Sequence, residues 1–494
     1  MLSAAVCHRA LDAQDARFDG LFFVGITTTG VYCRPVCPSR AAAREHRRFF
    51  DCVASAEGAG FRPCLRCRPE LAPGRALIDA VPRLARVAAL RIAGGALNGR
   101  AVAELAGELG VSERHLRRAL EQEIGVSPTE LAQTHRLLFA KRLLADTSLP
   151  VTRIAFASGF QSLRRFNSVF RERYRLSPRD LRRGGIERGS RNRAAPEEEL
   201  VFLTLAYRPP LAWDAHLALL TRVLLPGVEL IQGRRYLRTV SLDSHAGVIR
   251  AEAHAPTNGY GRMQRSQLEV QVDAALLPVL MPLLARLRRL FDLDADPSVI
   301  DAQLAQGGLG PLVRRHPGLR IPGAYDGFEA ALTTLLLDTE TRGPEAGRIA
   351  ARIVAAFGEP LDTAVPGLTH LAPSAARMAE AGTTALTALG APLRVAEAIT
   401  AIARAHTQGL LPMRPGTDAA AARQALMETS GIEQRQATCI VMRGLHWPDA
   451  FPAEDPVLQR AMGMKTERAL RAVAEGWRPW RAYAALHLSL HNPE

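Results

Sequence analysis

Apolar residues recur at helical spacing in two stretches of the chain, residues 102–125 and 151–174. Each stretch is interrupted by a glycine, Gly110 or Gly159, and a serine follows where a second helix would begin. The pattern therefore predicts helix, tight turn and helix, twice. The serines expected to cap the second helix of each pair are Ser112 and Ser162.

After residue 200 the pattern changes to the alternation typical of strands. The segments LVFLTLAY, GVIRAEAH and QLEVQVD alternate, and helical spacing runs from Trp213 to Leu225. A small α+β domain is thus predicted over residues 200–283, followed by alanine- and leucine-rich helices over 284–494. The cluster Gly307-Gly308-Leu309-Gly310 is predicted to be a loop, because neither a strand context nor a Lys-Ser/Thr pair supports a phosphate-binding turn.

Residues 184–199, GGIERGSRNRAAPEEE, have no apolar periodicity and hold glycine, proline and charges, which is typical of a linker. A chain of 494 residues is also too long for one hydrophobic core. We therefore predict a mainly α-helical multidomain protein. Its domains are expected at residues 1–75, 82–183, 200–283 and 284–494.

Charge is unevenly distributed on the two sides of residue 193. The first 193 residues hold 33 Lys and Arg against 18 Asp and Glu, a net charge of +15, whereas the remainder holds 30 against 31, a net charge of −1. An arginine-rich block of this kind predicts a surface that binds a polyanion. On charge alone, a basic surface that serves only solubility remains the alternative.

Neither a membrane span nor an export signal is predicted. The longest apolar run, residues 274–285, is short and contains two prolines, and charged residues interrupt the amino terminus at Arg9 and Asp12. We therefore expect a cytoplasmic protein with no membrane partner.

Four of the seven cysteines form two closely spaced pairs. Three residues separate Cys33 from Cys37, two separate Cys64 from Cys67, and 26 residues lie between the pairs. Each short pair can occupy one edge of a tetrahedron, so the spacing predicts one Zn²⁺ with four cysteine ligands. A purely structural zinc site remains the alternative. The other three cysteines are predicted to be buried small apolar residues: Cys7, Cys52 and Cys439.

The sequence around this quartet resembles the amino-terminal domain of the Ada family. The resemblance rests on Asp15-Ala-Arg-Phe-Asp-Gly, on Gly25-Ile-Thr-Thr-Thr-Gly-Val-Tyr-Cys33-Arg-Pro-Val-Cys37-Pro and on Gly60-Phe-Arg-Pro-Cys64-Leu-Arg-Cys67-Arg-Pro. It implies that Cys33 takes a methyl group from a methyl phosphotriester in methylated DNA, while zinc keeps its sulfur as thiolate. Losing that negative charge is expected to raise the affinity for DNA through nearby arginines. These are Arg34, Arg40, Arg66 and Arg68.

The two helix pairs, closed by Ser177-Pro178-Arg179-Asp180-Leu181-Arg182-Arg183, resemble the AraC-type activator domain, which Ada proteins carry in this position. Either pair alone would be ordinary helical packing, but two recognition helices on one body can enter successive major grooves about 34 Å apart. The resemblance implies binding to double-stranded DNA of a bacterial nucleoid, with RNA polymerase as a partner. The residues expected to contact DNA are Arg114, Arg117, Arg118, Arg164, Arg165 and Asn167.

The carboxy-terminal half resembles the AlkA branch of helix-hairpin-helix DNA glycosylases. The resemblance rests on Leu319-Arg-Ile-Pro-Gly-Ala-Tyr-Asp-Gly-Phe-Glu, on Asp449-Ala-Phe-Pro-Ala-Glu-Asp455-Pro-Val-Leu-Gln-Arg-Ala and on Trp477-Arg-Pro-Trp480-Arg-Ala-Tyr-Ala-Ala-Leu-His. It implies excision of alkylated purines such as 3-methyladenine from a flipped nucleotide, without a metal or organic cofactor. Asp455 matches the family's catalytic aspartate, which would stabilise the oxocarbenium-like sugar. From its place before Pro456 alone, Asp455 would be a helix N-cap.

Several positions depart from the family's DNA-contact pattern. The hairpin reads Thr429-Ser430-Gly431-Ile432-Glu433, so Gly431 keeps the expected contact with DNA while Glu433 brings an acid to the place where a phosphate should bind. The wedge and base-stacking positions have also lost their usual side chains. They are Asp338, Thr339, Arg435 and Ser489.

Two functions therefore stay open: an alkylation-sensing activator with a working glycosylase, and a methylation-responsive regulator whose glycosylase-like half is weak or inactive and serves as a binding module. Asp455 favours the first, and the altered DNA contacts favour the second. The Ada-like surroundings of the cysteines disfavour a zinc regulator of unrelated stimulus. Any base excision is expected to be slow and confined to labile cationic lesions.

Overall fold

The computed structural model describes residues 2–39, 42–73, 83–186, 200–253, 266–337, 344–411, 413–429 and 431–491. Arg40, Asp338, Thr339 and Ser430 lie outside the described residues, as do residues 187–199 of the predicted linker. The chain divides into two compact units, the first made of Met1–Arg208 with Asn258–Ala285 and the second of Pro209–Thr257 with Arg286–Glu494. Across the described ranges, every helix is too short or too polar to cross a membrane.

The first unit begins with a small α+β module around a four-stranded sheet of order β3-β1-β2-β4. Strand β1 pairs antiparallel with β2 and β3, and β4 runs parallel to β2. Aromatic residues fill its small core because few long aliphatic side chains are present: Phe23, Tyr32, Phe50 and Phe61 pack together. The elements are α1 (Ala4–Asp12), β1 (Phe23–Ile26), β2 (Val31–Cys33), β3 (Arg47–Phe50), α2 (Val53–Gly58) and β4 (Arg62–Pro63).

Seven helices follow, and they confirm the two predicted helix-turn-helix pairs. Ser112 accepts a hydrogen bond from the His115 amide at 3.3 Å, and Ser162 accepts one from the Arg165 amide at 3.4 Å. Gly159 turns between helices with φ 82°, and a Cβ there would lie 2.2 Å from Asn98 Cγ. The helices are α3 (Arg83–Ala93), α4 (Val102–Glu108), α5 (Glu113–Ile124), α6 (Pro128–Asp146), α7 (Val151–Ala157), α8 (Leu163–Tyr174) and α9 (Pro178–Ile186).

The next part of the chain confirms the three strands predicted from alternation and adds two that were not predicted. Its elements are β5 (Leu200–Ala206), α10 (Trp213–Thr221), β6 (Glu229–Gln232), β7 (Arg235–Leu242), β8 (His245–Ala253), β9 (Gln267–Asp273) and α11 (Leu280–Leu290). In the first unit β5 pairs antiparallel with β9, and in the second unit β7 lies antiparallel between β6 and β8.

The rest of the second unit is mostly helical, and its described residues include two large apolar cores. One core holds α14 with α15 to α19, and the other gathers α12, α13 and α20 to α22 around Trp477 and Trp480. The helices are α12 (Pro297–Leu304), α13 (Gly310–Arg315), α14 (Gly327–Leu337), α15 (Pro344–Phe357), α16 (Ala375–Ala388), α17 (Leu393–Thr407), α18 (Ala419–Met427), α19 (Gln434–Leu445), α20 (Pro456–Ala461), α21 (Glu467–Ala474) and α22 (Arg481–Leu490).

The glycine cluster at 307–310 is not the simple loop that we predicted. Residues Ala305–Leu309 form a turn of π-helix between α12 and α13, and only Gly308 leaves the helical region, with φ 92°. Trp477 donates its indole N–H to the Gly307 carbonyl at 2.9 Å, and a Cβ on Gly307 would lie 2.7 Å from that indole ring. The cluster therefore allows close packing against Trp477.

Candidate metal centre and candidate active site

The four predicted cysteine ligands meet at one edge of the amino-terminal sheet. Cys33 ends β2 opposite Val24, and the Cys64 amide, just past β4, donates to the Tyr32 carbonyl at 2.9 Å. Tight turns then bring in Cys37 and Cys67. The four sulfur atoms lie within 4.8 Å of one another, as ligands of one tetrahedral ion must.

The chemistry of this sulfur cluster fits a divalent cation. The hydrogen bond between Cys33 and Cys37 raises the pKa of the first thiol and lowers the pKa of the second to about 6. Four sulfurs this close cannot all ionise unless a cation balances their charge. Backbone amides also point at the sulfurs: Arg34 N–H donates to Cys67 Sγ and Arg66 N–H to Cys64 Sγ, both at 3.4 Å.

Exposure distinguishes one ligand from the other three. Cys37, Cys64 and Cys67 are buried, whereas Cys33 is partly exposed. Of the four residues, Cys33 is therefore the one that keeps the most contact with solvent. Among the remaining cysteines, Cys7 is buried as predicted, while Cys52 and Cys439 are partly exposed.

The arginines predicted to contact DNA near this centre differ in their partners. Arg34 is held by both oxygens of Asp19, with its Nε 2.8 Å from Oδ1, and it also donates to the Cys67 carbonyl at 3.1 Å. Arg68 pairs with Asp146 at 2.6 Å and with Glu70 at 3.0 Å. Arg66 is exposed, and within the described part of the chain its guanidinium contacts Ser39, at 3.5 Å.

Two buried acids connect the amino-terminal module to the helices of the same unit. Glu57 accepts hydrogen bonds from Tyr32 at 3.1 Å and from Thr134 of α6 at 3.2 Å, and burial raises the pKa of Glu57 to about 7. Glu70 pairs with Lys141 of α6 at 2.6 Å. Burial alone would raise the pKa of Glu70, but Lys141 and Arg68 outweigh it and lower that pKa. Sequence patterns gave no sign of either acid.

The predicted DNA-contacting residues of the recognition helices α5 and α8 lie on their outer faces. Leu116, Leu120, Phe166 and Phe170 are fully buried on the opposite faces, so their packing fixes which side of each helix meets solvent. Arg117 pairs with Glu113 at 2.6 Å. The exposed arginines are Arg114, Arg118, Arg164 and Arg165, and Asn167 is partly exposed.

Asp455, the residue matched to a catalytic aspartate, is placed by the start of α20. Its Oδ1 accepts a hydrogen bond from the Val457 amide at 2.8 Å, which is the N-cap role that its position before Pro456 predicts. Its other oxygen, Oδ2, lies 3.7 Å from Nη1 of Arg435, and the two side chains are 14% and 15% exposed. The carboxylate therefore has a structural partner, a charged partner and a small opening to solvent.

The hairpin leading into α19 lies beside this aspartate. Gly431 has φ 83°, and a Cβ on it would lie 2.8 Å from the Arg394 carbonyl, so glycine is required there. Glu433 is exposed at the N-cap of α19, and its amide donates to Gln436 Oε1 at 3.0 Å. Ser489, on α22, donates its hydroxyl to the Leu486 carbonyl at 2.9 Å and fills little space.

Family models match three parts of the chain. The Metal binding domain of Ada matches residues 6–70, a Helix-turn-helix domain matches 105–184, and the AlkA N-terminal domain matches 202–326. The cluster of Cys33, Cys37, Cys64 and Cys67 is accordingly the site of one Zn²⁺.

Three curated relatives cover different parts of the chain. The "Probable bifunctional transcriptional activator/DNA repair enzyme AlkA" of Mycobacterium tuberculosis is 36% identical over 99% of this chain and 96% of its own length. The "DNA-3-methyladenine glycosylase 2" of Escherichia coli is 32% identical over 58% of this chain and 95% of its own. The "Bifunctional transcriptional activator/DNA repair enzyme Ada" of Escherichia coli is 30% identical over 35% of this chain and 47% of its own.

Proposed function

Because the chain belongs to the family of AlkA-type bifunctional transcriptional activators and DNA repair enzymes, we propose that it combines two reactions on alkylated DNA. Cys33 accepts a methyl group from the backbone, and Asp455 supports removal of alkylated purines. The twin helix-turn-helix pairs bind promoter DNA. The observation that carries the first reaction is the exposure of Cys33 alone within a cluster of four sulfurs.

The methyl transfer is a substitution at carbon. Zn²⁺ bound by the four cysteines keeps their sulfurs as thiolates. Cys33 Sγ attacks the methyl carbon of a neutral methyl phosphotriester, the new S–C bond forms as the C–O bond breaks, and the electron pair leaves with the phosphodiester anion. Because a thioether is not readily converted back to a thiolate, each protein molecule reacts once.

Methylation changes how the centre meets DNA. Four thiolates on Zn²⁺ carry a formal charge of −2, and conversion of Cys33 to a thioether reduces it to −1. Repulsion of the phosphate backbone falls, so affinity for duplex DNA rises. An activator of this kind also contacts RNA polymerase at its promoters, which is the partner we infer, and acts at the nucleoid of the bacterial cytoplasm.

Base excision depends on Asp455. Its carboxylate, partly open to solvent, would lie against the sugar of a flipped nucleotide and stabilise the positive charge that develops at C1′ as the base leaves. Alkylated purines such as 3-methyladenine leave readily because the alkylated base already carries positive charge.

A second candidate is a methylation-responsive regulator without useful glycosylase activity. Two observations favour it. Glu433 is exposed on the hairpin, where its negative charge would repel a phosphate, and Arg435 forms an ion pair with Asp455. In that case the second unit would serve only as a binding module.

One experiment separates these functions. The full-length protein is incubated with a methylated duplex whose methyl groups are labelled, and label on protein and released bases are measured in the same tube. We expect one methyl group per protein on Cys33 and slow release of 3-methyladenine. Cys33→Ala should abolish the first signal alone, and Asp455→Asn the second alone.

The same experiment can also contradict the proposal. Methyl label on a residue other than Cys33 would overturn the sensor mechanism. Base release unchanged in Asp455→Asn would remove the catalytic role of that residue. Label on Cys33 without any base release would leave the regulator as the function.

A further inference from the structure

The beginnings of α19 and α20 are joined by two side-chain pairs in register. Gln434 donates to Glu454 through a short hydrogen bond, and the next residue of each segment forms the pair of Arg435 with Asp455 at 3.7 Å. A second arginine, Arg471, reaches Glu454 at 2.7 Å but not Asp455. A full positive charge thus lies beside the one carboxylate that the reaction uses.

The position of Arg435 brings it close to the base as well as to the sugar. A nucleotide with C1′ against the Asp455 carboxylate has its base only one bond further away, because the N-glycosidic bond joins the two. A guanidinium within 3.7 Å of that carboxylate is therefore within reach of the base edge. With both side chains mostly buried, water screens this charge poorly.

The sign of the charge on the departing base decides what Arg435 does. Hydrolysis breaks the C1′–N bond, the electron pair leaves with the base, and water adds hydroxide to C1′ while its proton goes to the base or to solvent. A neutral base gains negative charge as it departs, which a guanidinium stabilises by hydrogen bonds. A cationic base departs as a neutral one, so Arg435 repels it before the reaction and gives no help during it.

We propose that Arg435 is a specificity-determining residue, an inference that rests on the proposed glycosylase function. Arg435 shifts the preference of the Asp455 site away from cationic N-alkylated bases and toward neutral alkylated purines rich in hydrogen-bond acceptors. This differs from the cationic preference expected from the sequence, because the sequence did not show that Arg435 meets Asp455. An aromatic ring at this position would attract cations, whereas arginine repels them.

A binding experiment tests the charge effect without depending on turnover. Full-length protein is titrated with two duplexes, one carrying a cationic pyrrolidine and one a neutral tetrahydrofuran in place of the target nucleotide. The pyrrolidine resembles the charge of the sugar in the transition state. Arg435→Gln should raise the preference for pyrrolidine over tetrahydrofuran about tenfold, the order expected for removing one nearby, poorly screened charge.

Arg471→Gln is the matched control, since it removes an equal charge from the neighbour of Asp455 and should leave the preference unchanged. Release of 1,N6-ethenoadenine, which is neutral, and of 7-methylguanine, which is cationic in DNA, is then compared under single-turnover conditions. Arg435→Gln should increase the ratio of 7-methylguanine to ethenoadenine release about tenfold relative to the unmutated protein.

The outcomes separate this inference from the function on which it rests. Equal ratios for the unmutated protein and Arg435→Gln, in binding and in release, would overturn the role of Arg435 while release that depends on Asp455 upholds the glycosylase. A shift of the same size in Arg471→Gln would also overturn it, because the effect would then be one of net charge. No release of either base would overturn the glycosylase function itself.

Discussion

The two chemical centres differ in what their nearest arginine does. At the cysteine cluster, Asp19 and the Cys67 carbonyl hold the guanidinium of Arg34, and the Arg34 and Asp19 side chains are largely buried. At the candidate active site, Arg435 lies 3.7 Å from Asp455, the acid to which we assign the glycosylase reaction. At the first centre the metal supplies the positive charge, whereas at the second the side chain of Arg435 supplies it.

This difference shows how each centre can respond to its substrate. A thiolate must stay nucleophilic, and an arginine paired with it would compete with the metal and weaken attack. A carboxylate that stabilises a sugar cation does not attack carbon in the same way, so a neighbouring arginine can tune which base leaves. We therefore expect the metal to dominate the first centre and Arg435 to dominate the selectivity of the second.

The largest effect should come from removing a zinc ligand. Cys37→Ala leaves three ligands, and because a structural zinc site contributes on the order of 10 kcal/mol to folding of a small module, zinc content should fall from one per protein to near zero. Metal analysis measures this directly. Hydrogen exchange of β1 to β4 should rise at the same time.

Cys52→Ser is the matched control in the same module. Cys52 is outside the cluster and caps α2 by accepting from the Ser55 amide, a role that serine can fill. Zinc content and exchange should match the unmutated protein. Full metal retention in Cys37→Ala would break the comparison, because another group would then have to supply the fourth ligand.

The next effect tests whether Arg34 needs Asp19. Asp19→Asn leaves a mostly buried guanidinium without its counter-ion, and breaking such a pair costs about 3 kcal/mol. The four tryptophans, at 213, 447, 477 and 480, all belong to the second unit, so stability of the first unit is followed by hydrogen exchange of β1 and β2 peptides under increasing urea.

Asp15→Asn provides the comparison for this variant. Asp15 pairs with Arg17 at 2.6 Å, but the Arg17 side chain is largely exposed, so the loss should be much smaller than in Asp19→Asn. Equal losses in the two variants would show that the Asp19 pair is no more than a surface ion pair, and Arg34 would again be a candidate for direct contact with DNA.

A smaller effect follows from the raised pKa of Glu57. The pKa of Glu57 is about 7 in the folded chain and 4.5 in the unfolded chain. Between these values the native state binds more protons, so stability of the first unit falls as pH rises from 4.5 through 7, by up to about 3 kcal/mol.

Glu57→Gln should remove this dependence while it keeps the hydrogen bonds from Tyr32 and Thr134 in part. The measurement is the urea dependence of α2 and α6 hydrogen exchange at pH 5.5 and pH 8, corrected for intrinsic rates. A pH dependence that survives in Glu57→Gln would assign the titration to another group of the unit.

Features that depend on nearby residues were predictable from the sequence, and those that depend on distant ones were not. Ser112 and Ser162 act on amides three residues away, and each cysteine pair spans one turn, so local patterns identified them. The pairs of Asp19 with Arg34, of Glu57 with Thr134 and of Arg435 with Asp455 join separate elements. Only the fold brings these residues together, and they decide how each centre is charged.

The smallest effect concerns two neighbouring arginines of α5, and it extends the comparison to the DNA-binding surface. Arg118 is exposed and makes no ion pair among the described residues, whereas Arg117 pairs with Glu113 at 2.6 Å. An arginine without an acidic partner can release counter-ions when it meets a phosphate, and one that is already paired gains less. Arg118→Gln should lower the slope of log affinity against log salt by about 1 for undamaged duplex DNA and weaken binding several-fold.

Arg117→Gln should change the salt slope by about half as much as Arg118→Gln, because Arg117 is already paired with Glu113. The variant leaves Glu113 without its partner, but at this exposed position its charge repels the DNA backbone only weakly. Affinities of the full-length variants are measured between 50 and 200 mM salt by fluorescence anisotropy. The two variants carry the same charge on the same helix, so their difference isolates the effect of the acidic partner. Equal slopes would mean that pairing with an acid does not separate structural from binding arginines, and the contrast between Arg34 and Arg435 would then have to rest on their burial.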